Sequence, residues 1–372
     1  MLKTLGLKNF KAFGELELPF GSLTLLSGLN GSGKSTVLQS LGLLRQSYDS
    51  EGLTRGELDL NGPLVSIGTA HDVRYQEFLE PEVSICCNFA LPDHVGELEW
   101  TARAEEIDAD VLSCHRFPRE TLLSRPSLFG RGFQFLRADR ITPGVTFPTS
   151  QHAVVHDRSL GPRGEYTAHF LLKFGEELAV APSLRTSRDD PGASLLAQVN
   201  AWMQHFSPGV RVEPVGVPMT DLVRLAYSYR GEKTAYGLAL RPTNVGFGLT
   251  HVLPILVGCL AAEPGTLVVV ENPEAQLHPR GQAAMGRLLA LTAALGVQVI
   301  VETHSDHVLN GIRLAVKQGH LEPSRTLLHF FSRRRGEAAT YETPSIAPDG
   351  RLSYWPDGFF DQWERSLDQL LS

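Results

Sequence analysis

The stretch GLNGSGKST, residues 28–36, sets glycine, lysine and hydroxyl side chains at the spacing G-x-x-x-x-G-K-[ST], with Gly28, Gly33, Lys34 and Ser35 in the fixed places. Glycines there let backbone N–H groups, those of Asn30, Gly31, Ser32 and Gly33 among them, curl around phosphate oxygens. The helix that follows adds its N-terminal dipole, Lys34 neutralises β/γ charge, and Ser35 reaches a Mg²⁺ ion, with Thr36 beside it. Two further segments end apolar runs in chemistry. LVVVE delivers Glu271, placed to hold Mg²⁺ through water, and VQVIVETHSDH delivers His304, where a side chain can sense a γ-phosphate. Between the P-loop and Glu271, the run RPTNVGFGLTHVLPIL (241–256) puts Asn244, Gly246 and Gly248 before a helix. That is either a plain helix start or a second anion site, one that would serve the nucleotide of a partner subunit.

These groups need elements to hold them. LKTLGLKNF and ELELPFGSLTLLSG read as short strands, the second ending in the glycine turn, and STVLQSLGLLRQS reads as the helix that the turn opens. From 51 to 247 the chain is broken by Gly and Pro, with strand-like runs EVSICCNFAL and AHFLLKF and one helix, ASLLAQVNAWMQHF. From 248 a helix, TLVVVE, a helix, VQVIVET and a helix alternate, which predicts a parallel sheet flanked by helices. A strand pair around 326–343 and an aromatic end follow. The expected fold is therefore α/β: a P-loop NTPase head with a mixed or parallel sheet between helices, plus an inserted lobe.

Composition excludes several alternatives. Apolar residues at 42% and charged residues at 20% are ordinary for a globular chain, so disorder and fibrous folds drop out. A net charge of −7 means that any nucleic-acid contact has to come from a local patch. The four cysteines form no C-x-x-C pair, which disfavours a zinc site or disulfide framework and suits reduced cytosolic thiols. The N-terminus lacks a signal-peptide core, and the longest apolar stretch, 249–262, is too short to span a bilayer, so a cytoplasmic protein without a membrane partner is expected.

In this order the pieces resemble the ATP-binding-cassette-type ATPases of the RecF, SMC and overcoming-lysogenization-defect (OLD) kind. LKNFKAFGELEL looks like their N-terminal strand, GLNGSGKST like their Walker A, and NVGFGLTHVLPIL like a divergent signature segment. VVVENPEAQLHPRGQ looks like Walker B with its D-loop, and VETHSDHVLN like the switch-histidine loop. SYWPDGFFDQ is similar to the short C-terminal domain of a stand-alone branch. The resemblance implies ATP and Mg²⁺ as ligands, phosphate binding by Gly33, Lys34, Ser35 and Thr36, and magnesium at Ser35 and Glu271. It makes His304 the γ-phosphate sensor and implies contact to ATP by Asn244, Gly246 and Gly248 across a homodimer that sandwiches two nucleotides. It divides the chain into 1–50 (the Walker A part of the head), 51–240 (an inserted lobe), 241–320 (signature, Walker B and switch) and 321–372 (a small C-terminal domain).

Three departures from the family pattern stand out. The signature lacks a Ser-Gly-Gly core. The loop glutamine that completes the Mg²⁺ shell has three candidates, Gln46, Gln76 and Gln134. Asn272 follows Glu271 where a catalytic Glu would stand; an amide cannot take a proton from water near neutral pH, so Asn272 could orient the nucleophile and Glu274 could be the base. Slow hydrolysis is the expectation, since phosphoryl transfer rests mainly on positioning.

The OLD nucleases place an acidic metal-binding domain after the ATPase. Here about sixty residues follow the switch loop, and the acids Glu337, Glu342, Asp349, Asp357 and Asp361 do not cluster, so no intrinsic nuclease is expected. The stretch 113–140 interleaves Arg116, Arg119, Arg125, Arg131, Arg137 and Arg140 with Phe117, Phe129, Phe133 and Phe135. It reads either as a DNA-contacting patch or as a solvated loop with an apolar anchor, and SRRRGE at 332–337 is a weaker candidate. Two functions remain: an ATPase dimer acting on DNA or a separately encoded effector in genome maintenance or phage defence, and a nucleotide-gated scaffold with negligible turnover.

Overall fold

The computed structural model describes residues 1–77, 80–90, 95–124, 126–186, 192–230, 237–333, 338–360 and 369–371. Strands β1 (Leu2–Phe10), β2 (Phe13–Pro19) and β3 (Leu23–Gly28) lead into helix α1 (Lys34–Asp49). Helix α2 (Gly52–Arg55), β4 (Glu57–Asp59), α3 (Ala70–Val73), β5 (Glu82–Ala90), β6 (Val95–Arg103), β7 (Val111–Arg116) and α4 (Glu120–Leu123) follow. Then come β8 (Gln134–Leu136), β9 (Phe147–Pro148), α5 (Thr167–Phe174), α6 (Leu195–Met203), β10 (Val210–Gly216) and β11 (Leu222–Tyr229). The last third runs α7 (Phe247–Leu260), β12 (Leu267–Glu271), α8 (Pro279–Ala294), β13 (Gln298–Glu302), α9 (Asp306–Lys317), β14 (Thr326–Ser332) and β15 (Thr340–Glu342).

Two compact units result: Met1–Gly130 with Pro323–Ser372, and Arg131–Glu322. These boundaries differ from the four segments expected above, because the C-terminal residues join the N-terminal unit. In that first unit an antiparallel sheet runs β2-β1-β5-β6-β7-β4. Strand β2 alternates buried Phe13, Leu16 and Leu18 with exposed Glu15 and Glu17, the pattern of a sheet with one covered face. Strand β3 is buried throughout and pairs in parallel with β14, which pairs antiparallel with β15. The strand-like run ELELPFGSLTLLSG is thus two strands, separated where Pro19 and Gly21 interrupt the pattern.

In the second unit β12 pairs in parallel with β13 on one side and β8 on the other. Val268, Val269, Val270, Val299, Ile300 and Val301 are fully buried, as expected of strands covered on both faces. Strands β10, β11 and β9 make a small antiparallel sheet. The AHFLLKF run is helical within α5 rather than a strand. Phe170 and Phe174 sit four residues apart on one face with ring centroids at 5.0 Å, and that spacing fits a helical period as well as a strand's apolar run.

Candidate nucleotide site

The P-loop lies in the first unit. Between β3 and α1 the chain takes left-handed or extreme conformations at Gly28 (φ 141°), Gly31 (φ 75°) and Gly33 (φ 101°), which glycine adopts without the clash a Cβ would bring. At Gly28 a Cβ would also strike the main chain of Phe331, and at Gly33 the ring of Phe13. The Lys34 side chain, 3% exposed, runs back along the loop and donates to the carbonyls of Gly28 (2.9 Å) and Leu29 (2.8 Å). Ser32 is buried and its hydroxyl donates to Leu29 O at 2.7 Å, while Asn30, Gly31 and Ser35 are exposed and Thr36 is buried. A concavity beside Thr36 is lined by Lys11, Arg74, Tyr75, Gln76, Arg333 and Asp72 among others, with three cations against one carboxylate. Burial lowers the pKa of Lys11, and Asp72 opposes that shift.

The carboxylates Glu271 and Glu274 lie in the second unit. Glu271 ends β12 opposite Glu302 of β13, and its Oε2 accepts from the Ala138 N–H at 2.8 Å. Burial raises the Glu271 carboxyl above its ordinary pKa, while that hydrogen bond and the Arg137 and Arg140 guanidiniums hold the rise back. Asn272 turns the chain in a left-handed conformation, φ 43°, which Asn tolerates better than most residues, and its N–H donates to Glu302 O at 2.8 Å. Glu274 meets the switch loop directly. One of its oxygens accepts from the Thr303 hydroxyl (2.6 Å) and the other from the His304 N–H (2.8 Å). Thr303 Oγ1 also accepts from Ser305 N–H, and Ser305 caps α9 through Val308 N–H, so the exposed His304 is carried on a loop pinned at both ends.

Sequence reasoning gave another role to the group that fastens the end of β12. Arg140 is 2% exposed and donates to the carbonyls of Arg137 (2.9 Å), Glu271 (2.6 Å) and Asn272 (2.7 Å). Burial brings its pKa down to about 10, with Glu274, Glu271 and Asp139 opposing. The run FLRADR contains it, but nothing in the sequence says that a loop arginine reaches carbonyls more than a hundred residues away. His251 of α7 is buried near it with both ring nitrogens unpartnered, and burial first, then the Arg140 charge, lowers its pKa to about 4.

The segment at 241–256 starts as a 3-10 turn (Pro242–Asn244) followed by α7, with Gly246 at the N-cap. A Cβ at Gly248 would collide with the Gln276 carbonyl, so α7 packs its first turn onto the loop after Glu274. Asn244 and Gly246 are exposed, and a Cβ on Gly246 would meet nothing. Of the glutamine candidates, two are bound into the framework. Gln46 bridges Asp59 O and Val65 N–H, and Gln134 bridges Arg158 O and Leu160 N–H. Gln76 is exposed, in the concavity with Thr36.

The Arg/Phe stretch needs correction as a stacking surface. Phe129, Phe133 and Phe135 are buried and Arg140 is the internal clamp, so of its described aromatics Phe117 alone is exposed. Arg116 pairs with Glu99 and Arg137 with Asp139, and Arg125 lies outside the described residues, as do Glu337, Asp361 and residues 334–337 of SRRRGE. No helix among the described residues is long and apolar enough to cross a membrane.

Comparison with known proteins gives the family and the fold. Residues 1–117 match a family described as "AAA ATPase domain", residues 110–310 one described as "AAA domain, putative AbiEii toxin, Type IV TA system", and residues 321–370 one described as "Protein of unknown function (DUF3696)". A curated relative, the OLD nuclease of Thermus scotoductus (strain ATCC 700910 / SA-01), is 46% identical over 319 residues; the match covers 82% of this chain and 59% of that protein. Among solved structures, an SmcHead bound to the C-winged helix domain of ScpA superposes with a TM-score of 0.55 at 15% identity, covering 93% of this chain and 98% of that one. An Smc head with an extended coiled coil, bound to the C-terminal domain of ScpA derived from Pyrococcus furiosus, gives 0.52 at 11% identity, covering 100% and 99%. The structural likenesses establish an SMC-head-like α/β fold, and the match over 110–310 establishes the family: the chain belongs to the AAA-domain ATPases.

Proposed function

We propose that this ATPase takes Mg²⁺·ATP, hydrolyses it slowly, and works as a switch whose ATP-bound form pairs with a second copy. The observation that carries the reading is the P-loop itself, with glycines in conformations other residues avoid and Lys34 lying along the loop's carbonyls. In this reading Asn30 through Gly33 supply N–H groups to the phosphates, Lys34 and Thr36 add to that hold, and Ser35 and Glu271 serve the metal ion. Gln76, exposed beside Thr36, is the best placed of the three glutamines to join them. The exposed Asn244 and the open space around Gly246 support a contact to the nucleotide of a partner subunit. Population of the paired state then follows from tighter ATP binding in that state. The name of the OLD nuclease relative supports work on nucleic acid, which we take to be DNA, acted on directly or beside a separately encoded effector, in genome maintenance or phage defence.

Glu274 takes a positioning role here, since both its oxygens hold the Thr303–His304 loop. The test is steady-state phosphate release with Mg²⁺·ATP, with and without double-stranded DNA. Wild type should turn over and Lys34→Ala should lose nucleotide binding; wild-type affinity in Lys34→Ala would sink the P-loop assignment. Glu274→Gln should slow release by about tenfold with ATP affinity kept. A loss beyond about a hundredfold would instead make Glu274 the general base. The scaffold reading is favoured by one feature, Asn272, whose main-chain carbonyl Arg140 holds, in the place of an acid after Glu271. An inert wild type whose dimerisation still depends on ATP would put that reading first.

A further inference from the structure

We infer a transition-metal site at His152, His156 and Asp157, separate from the residues given to nucleotide and Mg²⁺. Residues His152–His156 form a single π-helical turn, closed by the Asp157 N–H donating to His152 O at 3.0 Å. Single π turns are rare and concentrate at functional sites. This one stacks the imidazoles of His152 and His156 with centroids 5.0 Å apart and planes at 13°, and sets Asp157 against both rings. Asp157 Oδ2 is 3.4 Å from His152 Nε2, and Oδ1 is 2.7 Å from His156 Nδ1. One donor atom from each residue falls within 4.8 Å of the others.

The two carboxylate–imidazole spans suit an ion. Zinc bonds to nitrogen and carboxylate oxygen of about 2.0–2.1 Å in a tetrahedral array put neighbouring donors about 3.3 Å apart. The His152–Asp157 pair already stands at that distance, and a small rotation of Asp157 away from His156 brings the second pair to it. The side chains of His152 and His156 are 79% and 77% exposed, so the imidazoles can reach an ion from solvent without unfolding anything. Two imidazoles and one carboxylate select zinc, copper, nickel or cobalt over Mg²⁺ or Ca²⁺, which prefer all-oxygen shells. Three protein ligands leave a fourth position for water or a donor from another molecule.

The turn is sewn to the framework that carries Glu271. Gly132 N–H donates to Asp157 O, Arg131 to Val155 O, and Gln134 to Arg158 O. Gln134 begins β8, which lies against Val268 of β12. An ion bound here therefore fastens the approach to β8.

The test is zinc competition against a chromogenic chelator with the full chain, free of nucleotide and Mg²⁺, in a Cys86→Ser background. Cys86 is the one cysteine that is not buried, and its removal takes away the accessible thiol. One zinc per chain is expected, with affinity falling at least about tenfold in His152→Ala and in His156→Ala. Cobalt should give the intense visible bands of a four-coordinate ion in the parent and lose them in both variants, and zinc should raise the thermal midpoint of the parent alone. The exposed histidines can be replaced without cost to the fold, which an unchanged midpoint in the absence of metal verifies. Zinc binding at equal strength in parent and variants, or no binding at micromolar zinc, would overturn the site.

Discussion

Arg140 shows how much one residue can fix. Its guanidinium holds the carbonyls of Glu271 and Asn272 in one grip, and Asn272 keeps a left-handed φ inside that grip. Arg140→Met would leave three half-buried carbonyls without their donor. It should cost on the order of 3 kcal/mol in urea unfolding, since an orphaned acceptor costs roughly 1–3 kcal/mol. Arg140→Lys should recover less than half of the loss, because an ammonium cannot fork between carbonyls as a guanidinium does. An unchanged midpoint in Arg140→Met would remove the clamp from the account. The P-loop residues were legible from their types alone, because spacing and glycine conformation are local matters. Arg140 was not: it sits in a run of arginines that reads as solvent-facing, and its partners lie 131 and 132 residues away.

Among elements, the turn from β3 into α1 is the most constrained. Gly33→Ala would set a side chain at φ 101° against the Phe13 ring, and should destabilise the protein by about 1–2 kcal/mol while abolishing tight nucleotide binding. Calorimetric titration with ATP beside a thermal melt separates the two effects. Strand β14 carries an acid-sensitive group. His329 is fully buried, donating from Nε2 to Pro19 O (2.9 Å) and accepting at Nδ1 from Thr343 (2.9 Å); burial lowers its pKa from 6.5 to about 4. With the folded pKa below the unfolded one, the unfolded chain takes the proton first as pH drops. Stability is then full above pH 6.5 and falls between there and about pH 4, by on the order of 3 kcal/mol. His329→Gln should flatten that slope in denaturation measured across the range; an identical slope would assign the sensitivity elsewhere. The alternation of strand and helix after residue 248 was readable from apolar pattern, because the helices there are long and the short strands are unbroken apolar runs. The α5 segment was misread because a run of seven residues, five of them apolar, fits two periods, and only packing decides between them.

At the scale of the whole molecule, the first unit is discontinuous. Residues 1–130 need 323–372 to complete their sheet, and β14 runs beside β3 from Thr326↔Leu23 to Phe331↔Gly28. A chain ending at Glu322 should lose soluble, ATP-binding protein, whereas one ending at Thr343 keeps β14 and β15 and should retain binding. Equal binding by both, in a pull-down on immobilised ATP, would show the pairing to be dispensable. No sequence pattern announced this closure, since strand partners chosen across three hundred residues leave no local mark. Translation gives that separation a consequence in time. At about 5–20 residues per second, tens of seconds pass between the emergence of the P-loop strand and that of β14. Throughout that interval β3 offers an unpaired edge, so an interrupted message yields a nascent chain that calls on chaperones and that has no finished loop with which to capture ATP.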